Sequence, residues 1–174
     1  DTTRAHGSIS ARGGENGGDG GFAEVSGKGL LDFRGMVDTS APMGMTGMLL
    51  LDPTEITIVS AAAGAGTNVL CSGGGDCTTP SGGPFADTST GAGSILNDGT
   101  INAQLAINNV TVSATNDIVV DAAAAIDLQT RSLTLTSTAG GILLGATTVA
   151  STGGGGTLGL NFVTTLDLID SPNL

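Results

Sequence analysis

"NVTVSATNDIVVDAA" at residues 109–123 and "SLTLTSTAGGILLGA" at 132–146 read as two copies of one unit. Val110 and Val112 correspond to Leu133 and Leu135 at a spacing of 23, and Ile118 and Val120 to Ile142 and Leu144 at 24. A third copy, "TLGL", sets Leu158 and Leu160 25 residues beyond Leu133 and Leu135. Within each copy apolar residues alternate with Thr, Gly or another spacer, which is the period of a strand. Asn-Asp, Gly-Gly and Ala/Thr clusters supply corners between the strands. A strand pair recurring at 23–25 residues marks a solenoid, and its strand content selects a β-helix over a helical repeat. The fixed Leu/Asn spacing of leucine-rich repeats is absent. Coils are expected to stack at about 4.8 Å with Val, Ile and Leu inward. At this period the chain holds about seven of them.

The composition agrees. The 174 residues include 30 Gly and 4 Phe but no Trp or Tyr, so the core has to be filled by aliphatic side chains. Gly is costly inside helices, whereas thin strands with tight corners accommodate it. Positive mean hydropathy and regular apolar runs argue against disorder. The net charge of −11 makes nucleic acid and anionic membranes poor partners. No apolar run approaches the roughly 20 residues of a spanning helix. The chain opens in mid-pattern at "DTTRAHGSIS", without an initiator Met, and reads as a mature fragment.

Organisation is expected in three parts: β-helix coils with Gly-rich corners over 1–60, an excursion over 61–93, and further coils over 94–174. "GFAEVSG" (21–27), "LLDFRGMVD" (30–38) and "MLLLDPTEITIV" (48–59) are the strand-bearing stretches of the first part. Pro53, lacking an amide donor, belongs at a strand end or corner. The excursion carries the only two cysteines, Cys71 and Cys77, in "CSGGGDC". A zinc site would need further Cys or His ligands, and His6 is the only histidine. A local disulfide is the better reading, worth roughly 2 kcal/mol in the chain-entropy picture and implying an oxidising compartment. Two unrelated free thiols are the alternative.

The run "GGENGGDGGFAEVSGKG" (13–29) invites a ligand-binding reading, which its spacing does not support. Lys28 is followed by Gly29 rather than Ser or Thr, so the phosphate-loop pattern fails. The calcium-binding β-roll nonapeptide fails as well, because neither register places Asp at its sixth position. Glu15, Asn16 and Asp19 retain the oxygen chemistry for opportunistic calcium, against a solvated corner as the plain reading. The glycines are expected to be corners, where φ > 0 or close backbone approach is required. Asp32, Asp38, Asp52 and Glu55 are the carboxylates available for acid–base work on a polysaccharide, but no Trp or Tyr exists to stack a sugar. His6 is the sole candidate base for nucleophilic catalysis and reads as an exposed terminal residue. Asn109-Val110-Thr111 is a glycosylation sequon, although Asn109 also suits a corner that stacks on neighbouring coils. Asp117, Asp121 and Asp127 read as solvent-facing charges that discourage edge-to-edge aggregation. Thr111 and Thr134 face outward, but Gly159 interrupts any flat Thr ladder of the ice-binding kind.

"GGDGGFAEVSGK", "LLDFRGMVDTSAP" and "G-M-LLLDPTEITI", in that order over roughly residues 4–59, resemble a segment of filamentous-haemagglutinin-type exoproteins of bacterial two-partner secretion systems. The later coils resemble that family's degenerate repeats more loosely. The resemblance implies a right-handed parallel β-helix, exported through an outer-membrane secretion pore and displayed outside the cell as an adhesin fibre. The family's N-terminal secretion domain carries Asn-Pro motifs. Here the nearest string is "SPNL" at 171–174, so the segment is expected to belong to the shaft or distal region.

The expectation is therefore an all-β, non-enzymatic rod without cofactor or metal, whose partners are a host or matrix glycan or protein and, end to end, further copies. The alternative is a carbohydrate-active β-helix enzyme or a calcium-dependent glycan-binding module.

Overall fold

The computed structural model describes residues 2–60 and 93–162. It is a parallel β-solenoid of about five turns with one short helix. The first turn provides β1 (Thr2–Ala5) and β2 (Ser8–Ser10), and the second β3 (Phe22–Gly27), β4 (Leu30–Phe33) and β5 (Met36–Asp38). The third contains β6 (Met48–Pro53), β7 (Ile56–Val59), β8 (Ser94–Asn97) and helix α1 (Asp98–Leu105). The fourth comprises β9 (Asn109–Ala114), β10 (Ile118–Val120) and β11 (Ala125–Asp127). The fifth comprises β12 (Ser132–Ser137), β13 (Ile142–Leu144) and β14 (Thr148–Ala150), and β15 (Thr157–Phe162) opens a sixth. The count falls below seven because one turn is much longer than the 23–25-residue period: β6 starts at 48 and β9 at 109.

Three faces result. The first is a five-stranded parallel sheet in the order β15-β12-β9-β6-β3. Its register is the sequence repeat itself: Val110 lies beside Leu133 and Leu133 beside Leu158, with Leu49 on the other side of Val110. Alternate residues point inward, and Leu49, Leu51, Val112 and Leu133 have no exposed surface. Aliphatic columns of this kind fill a narrow interior without aromatics. Among the described side chains Phe33 is the exception, a fully enclosed ring on the second face.

The second face carries β1 on β4 and, separately, β13-β10-β7-β8. After β7 the chain later re-enters as β8, parallel to β7, with Ile56 beside Ser94 and Val59 beside Asn97. β8 lies against β4, where the Ser94 hydroxyl accepts the amide hydrogen of Leu31 at 2.9 Å. The third turn thus contributes two strands to this face.

On the third face β2 pairs with β5 and β11 with β14. Between β5 and β11 lies α1, which the repeat pattern does not announce. A helix is about 10 Å across and so fills the height of two strand layers at about 4.8 Å each. That is the height β7 and β8 together occupy on the second face. Asn97 caps the helix, its side chain accepting from Gly99 N at 2.8 Å.

Three pairs of residues spaced four apart divide the helix surface. Ile101 and Leu105 enter the core and are fully enclosed. Asp98 and Asn102 meet β11: Asp98 accepts from Ala125 N, while Asn102 donates to Ala125 O and accepts from Asp127 N, each at 2.9 Å. Gln104 and Asn108 meet β5. Gln104 donates to Gly35 O at 3.2 Å and accepts from Val37 N at 3.3 Å. Asn108 donates to Val37 O and accepts from Thr39 N, both at 2.8 Å. Each of these amides bonds the C=O of residue i and the N–H of residue i+2, as a peptide group of a parallel neighbour would. The helix therefore continues the ladder through side chains.

The Gly-rich corner is a backbone stack. The stretch 11–21 turns tightly at its tip, where Gly17 N donates to Gly14 O and Gly17 and Gly18 take φ of 136° and 98°. The corner 39–47 of the next turn lies directly on it, through Gly13 N to Ser40 O and Gly20 N to Met45 O. A Cβ on Gly20 would come within 1.7 Å of Thr39 O, and one on Gly47 within 2.0 Å of Gly21 O. Only Gly fits there.

Two stability measurements check these assignments. Asn108→Leu strands Val37 O and Thr39 N in the interior and should cost about 2–6 kcal/mol by chemical denaturation, at roughly 1–3 kcal/mol per orphaned group. Gly20→Ala should cost about 1–3 kcal/mol through overpacking. Gly7→Ala, whose Cβ would meet nothing within 4 Å, should be close to neutral.

Candidate functional site

The outer side of the five-stranded sheet is the largest regular surface the repeat creates. One outward row runs Glu24, Leu50, Thr111, Thr134, Gly159, and another includes Ser113, Thr136 and Asn161. The Thr111–Thr134 pair spans two coils only, bounded by Leu50 and Gly159. Such a face offers hydroxyls and amides to a partner and, among the residues whose side chains are described, one aromatic ring, Phe22 at the start of β3.

At the opposite strand end, where the first face turns into the second, Ser26, Lys28, Asp52, Pro53, Thr54 and Thr115 line an open cleft of about 230 Å³. Ser26 and Asp52 are register partners on β3 and β6, and the Thr54 hydroxyl donates to Lys28 O and fixes the corner. The sole lysine, one carboxylate and three hydroxyls converge here. That donor and acceptor set suits a hydroxylated ligand.

Asp32 stands elsewhere, on β4. It lies between the inward residues Leu31 and Phe33, yet is only 2 % exposed. His6 Nε2 meets its Oδ2 at 2.8 Å, and Arg34 Nε donates to its Oδ1 at 2.7 Å. The carboxylate thereby ties the corner after β1 to the corner after β4. His6 is 46 % exposed, as its reading as an exposed residue near the chain end had it, and is in addition paired with Asp32. The sequence placed the two residues 26 apart and gave no sign of the contact; the β1–β4 register brings them together. Asp32 and Asp52 belong to different sheets. Glu55 lies in the corner between β6 and β7.

The other acidic corners carry backbone amides. Asp19 accepts from Met45 N at 2.8 Å and Asp117 from Gly141 N at 2.8 Å. Asp127 accepts from Gln129 N at 2.9 Å, and its other oxygen takes the Thr152 hydroxyl of the next coil at 2.6 Å. Asp117 is exposed, as expected, and both it and Asp127 also tie adjacent coils together. Glu15 and Asn16 occupy the tip of the first Gly-rich corner, and among the described residues no three His, Cys, Asp or Glu side chains are grouped to hold a metal ion. Asn109 opens β9, with Nδ2 donating to Thr46 O and Oδ1 accepting from Ser132 N, each at 3.1 Å. The nitrogen a glycan would occupy already donates to the preceding coil. Cys71 and Cys77 lie outside the described residues.

Comparison with known proteins finds no matching family model, no matching curated protein and no matching solved structure.

Two carboxylates make the rod acid-sensitive. The Ser40 hydroxyl and amide, with Arg12 beyond them, hold Asp38 below the usual carboxylate range; the Thr152 hydroxyl and amide and the Gln129 amide do the same for Asp127. A carboxylate lowered on folding stabilises fully above its unfolded value and loses that contribution as pH falls through the folded one. Thermal stability should therefore decline below about pH 4. The Asp38→Asn/Asp127→Asn double variant should show a shallower decline over the same range in melts read by circular dichroism.

Proposed function

We infer that this chain is a stiff segment of a large secreted bacterial surface protein of the filamentous-haemagglutinin type, serving adhesion or filament formation and performing no catalysis. The observation that carries this reading is the unbroken five-stranded parallel ladder, whose register coincides with the sequence repeat. Inter-coil hydrogen bonds running along one axis resist bending and extension, and a polar outer face keeps such a rod in water while presenting it to a partner. The ordered motifs of residues 4–59 support export through an outer-membrane pore and an extracellular location.

Core-column positions of the outermost described coils support end-to-end contact. Ile9, beside the enclosed Val37, is 41 % exposed, while Val149 and Leu160 at the other end are 39 % and 37 % exposed. Another coil, from this protein or from a second copy, would cover them. The cleft of Ser26, Lys28 and Asp52 favours a second reading, a glycan-binding or carbohydrate-active module. In that case the cleft residues contact sugar hydroxyls.

Negative-stain microscopy over a range of concentrations, paired with glycan-array and cell-binding assays, separates these readings. Short rods that lengthen into filaments, or that bind cells without altering a polysaccharide, support the structural assignment. Polysaccharide cleavage that disappears in Asp52→Ala would replace it with the enzymatic one.

A further inference from the structure

All four methionines fall within residues 36–48, and none is used in the core. In an aliphatic-packed protein this is a reversal, since Met is normally among the buried residue types. Met43 and Met45 are each 73 % exposed and Met48 41 %. Their spacing is M-x-M-x-x-M.

The backbone that carries them is fixed. Met45 N donates to Asp19 Oδ1 at 2.8 Å and its C=O accepts from Gly20 N, while Met48 N donates to Gly21 O at 3.0 Å. Met45 and Met48 are thus both pinned to three successive residues of the coil below. Gly47 N closes the corner on Thr39 O at 2.9 Å. Backbone lengths limit the Cα separations to about 7 Å for Met43–Met45 and about 11 Å for Met45–Met48. Unbranched thioethers with three rotatable bonds close such gaps without moving the chain.

We propose that Met43, Met45 and Met48 form a binding site for a soft monovalent cation, Cu(I) or its analogue Ag(I). Thioether sulfur selects soft ions and gives hard cations such as Ca²⁺ or Mg²⁺ little. Phe22 lies in register with Met48 on the neighbouring strand and is 58 % exposed, while on the other side the Met48 sulfur accepts from the Thr111 hydroxyl at 3.5 Å, a weak bond that a soft cation would replace. The Asp19 carboxylate beside Met45 and the net charge of −11 add attraction for a positive ion. Met36 stands apart by its place on β5 of the third face, where its sulfur accepts from Gln104 Nε2 at 3.4 Å. It serves as an internal control.

The test uses the full chain with Cys71→Ser and Cys77→Ser, so that thiolates do not compete, in chloride-free buffer. Ag(I) is titrated while the methionine methyl signals are followed by ¹H–¹³C NMR. Three methyl signals should shift and saturate near one equivalent while that of Met36 stays in place. Any single change of Met43, Met45 or Met48 to Leu should weaken binding about tenfold or more. The triple Leu variant should lose it with an unchanged melting temperature. Because thioethers do not titrate, affinity should be equal at pH 7 and pH 5. Four methyl signals shifting together, no shift at all, or a triple variant that binds as well as the parent would each overturn the proposal.

Discussion

A solenoid has to pass its backbone hydrogen bonds from every turn to the next, and everything else in this protein follows from that requirement. Along the first face the strands do so directly. At corners and at the helix no strand is available, and a buried N–H or C=O left unpaired costs about 1–3 kcal/mol. The polar residues at those places answer that cost. Asp19, Asp98, Asp117 and Asp127 each accept a backbone amide from the adjacent turn, and Asn109 bonds one turn with each end of its amide.

The helix is the sharpest case. A helix satisfies its own backbone and cannot extend a sheet, so placing one inside a β-solenoid exposes two strand edges, β5 and β11. Gln104 and Asn108 cover one and Asn102 with Asp98 the other, in the donor–acceptor pattern of a parallel strand. This lets the third turn carry a doubled strand on one face without breaking the ladder on another. Acidic and amide residues that look like surface decoration are therefore structural, which also explains how a chain with 16 Asp and Glu packs tightly.

The glycines work toward the same end by a different route. Backbone stacking of the 11–21 and 39–47 corners requires contact distances that a Cβ would violate at Gly20 and Gly47. In holding those corners together, the stack also fixes the backbone that carries Met45 and Met48.

The repeat of Val110/Val112 with Leu133/Leu135 and Leu158/Leu160 was enough to establish a parallel β-helix and to name the inward columns, because alternation and period are properties of the chain itself. Glycine corners followed from the same reasoning. Tertiary structure alone decided the rest. The eight residues of α1 are too short and too polar to show a helical period, yet the i, i+4 pairs Asp98/Asn102 and Gln104/Asn108 were a signal that awaited two strand edges to give it meaning. The contact of His6 with Asp32 likewise depends on β1 lying beside β4, and only the fold places Asp32 and Asp52 in different sheets. Sequence specifies which residues face in. Which polar groups meet is fixed only by stacking, since each partner lies one or more coils away along the chain.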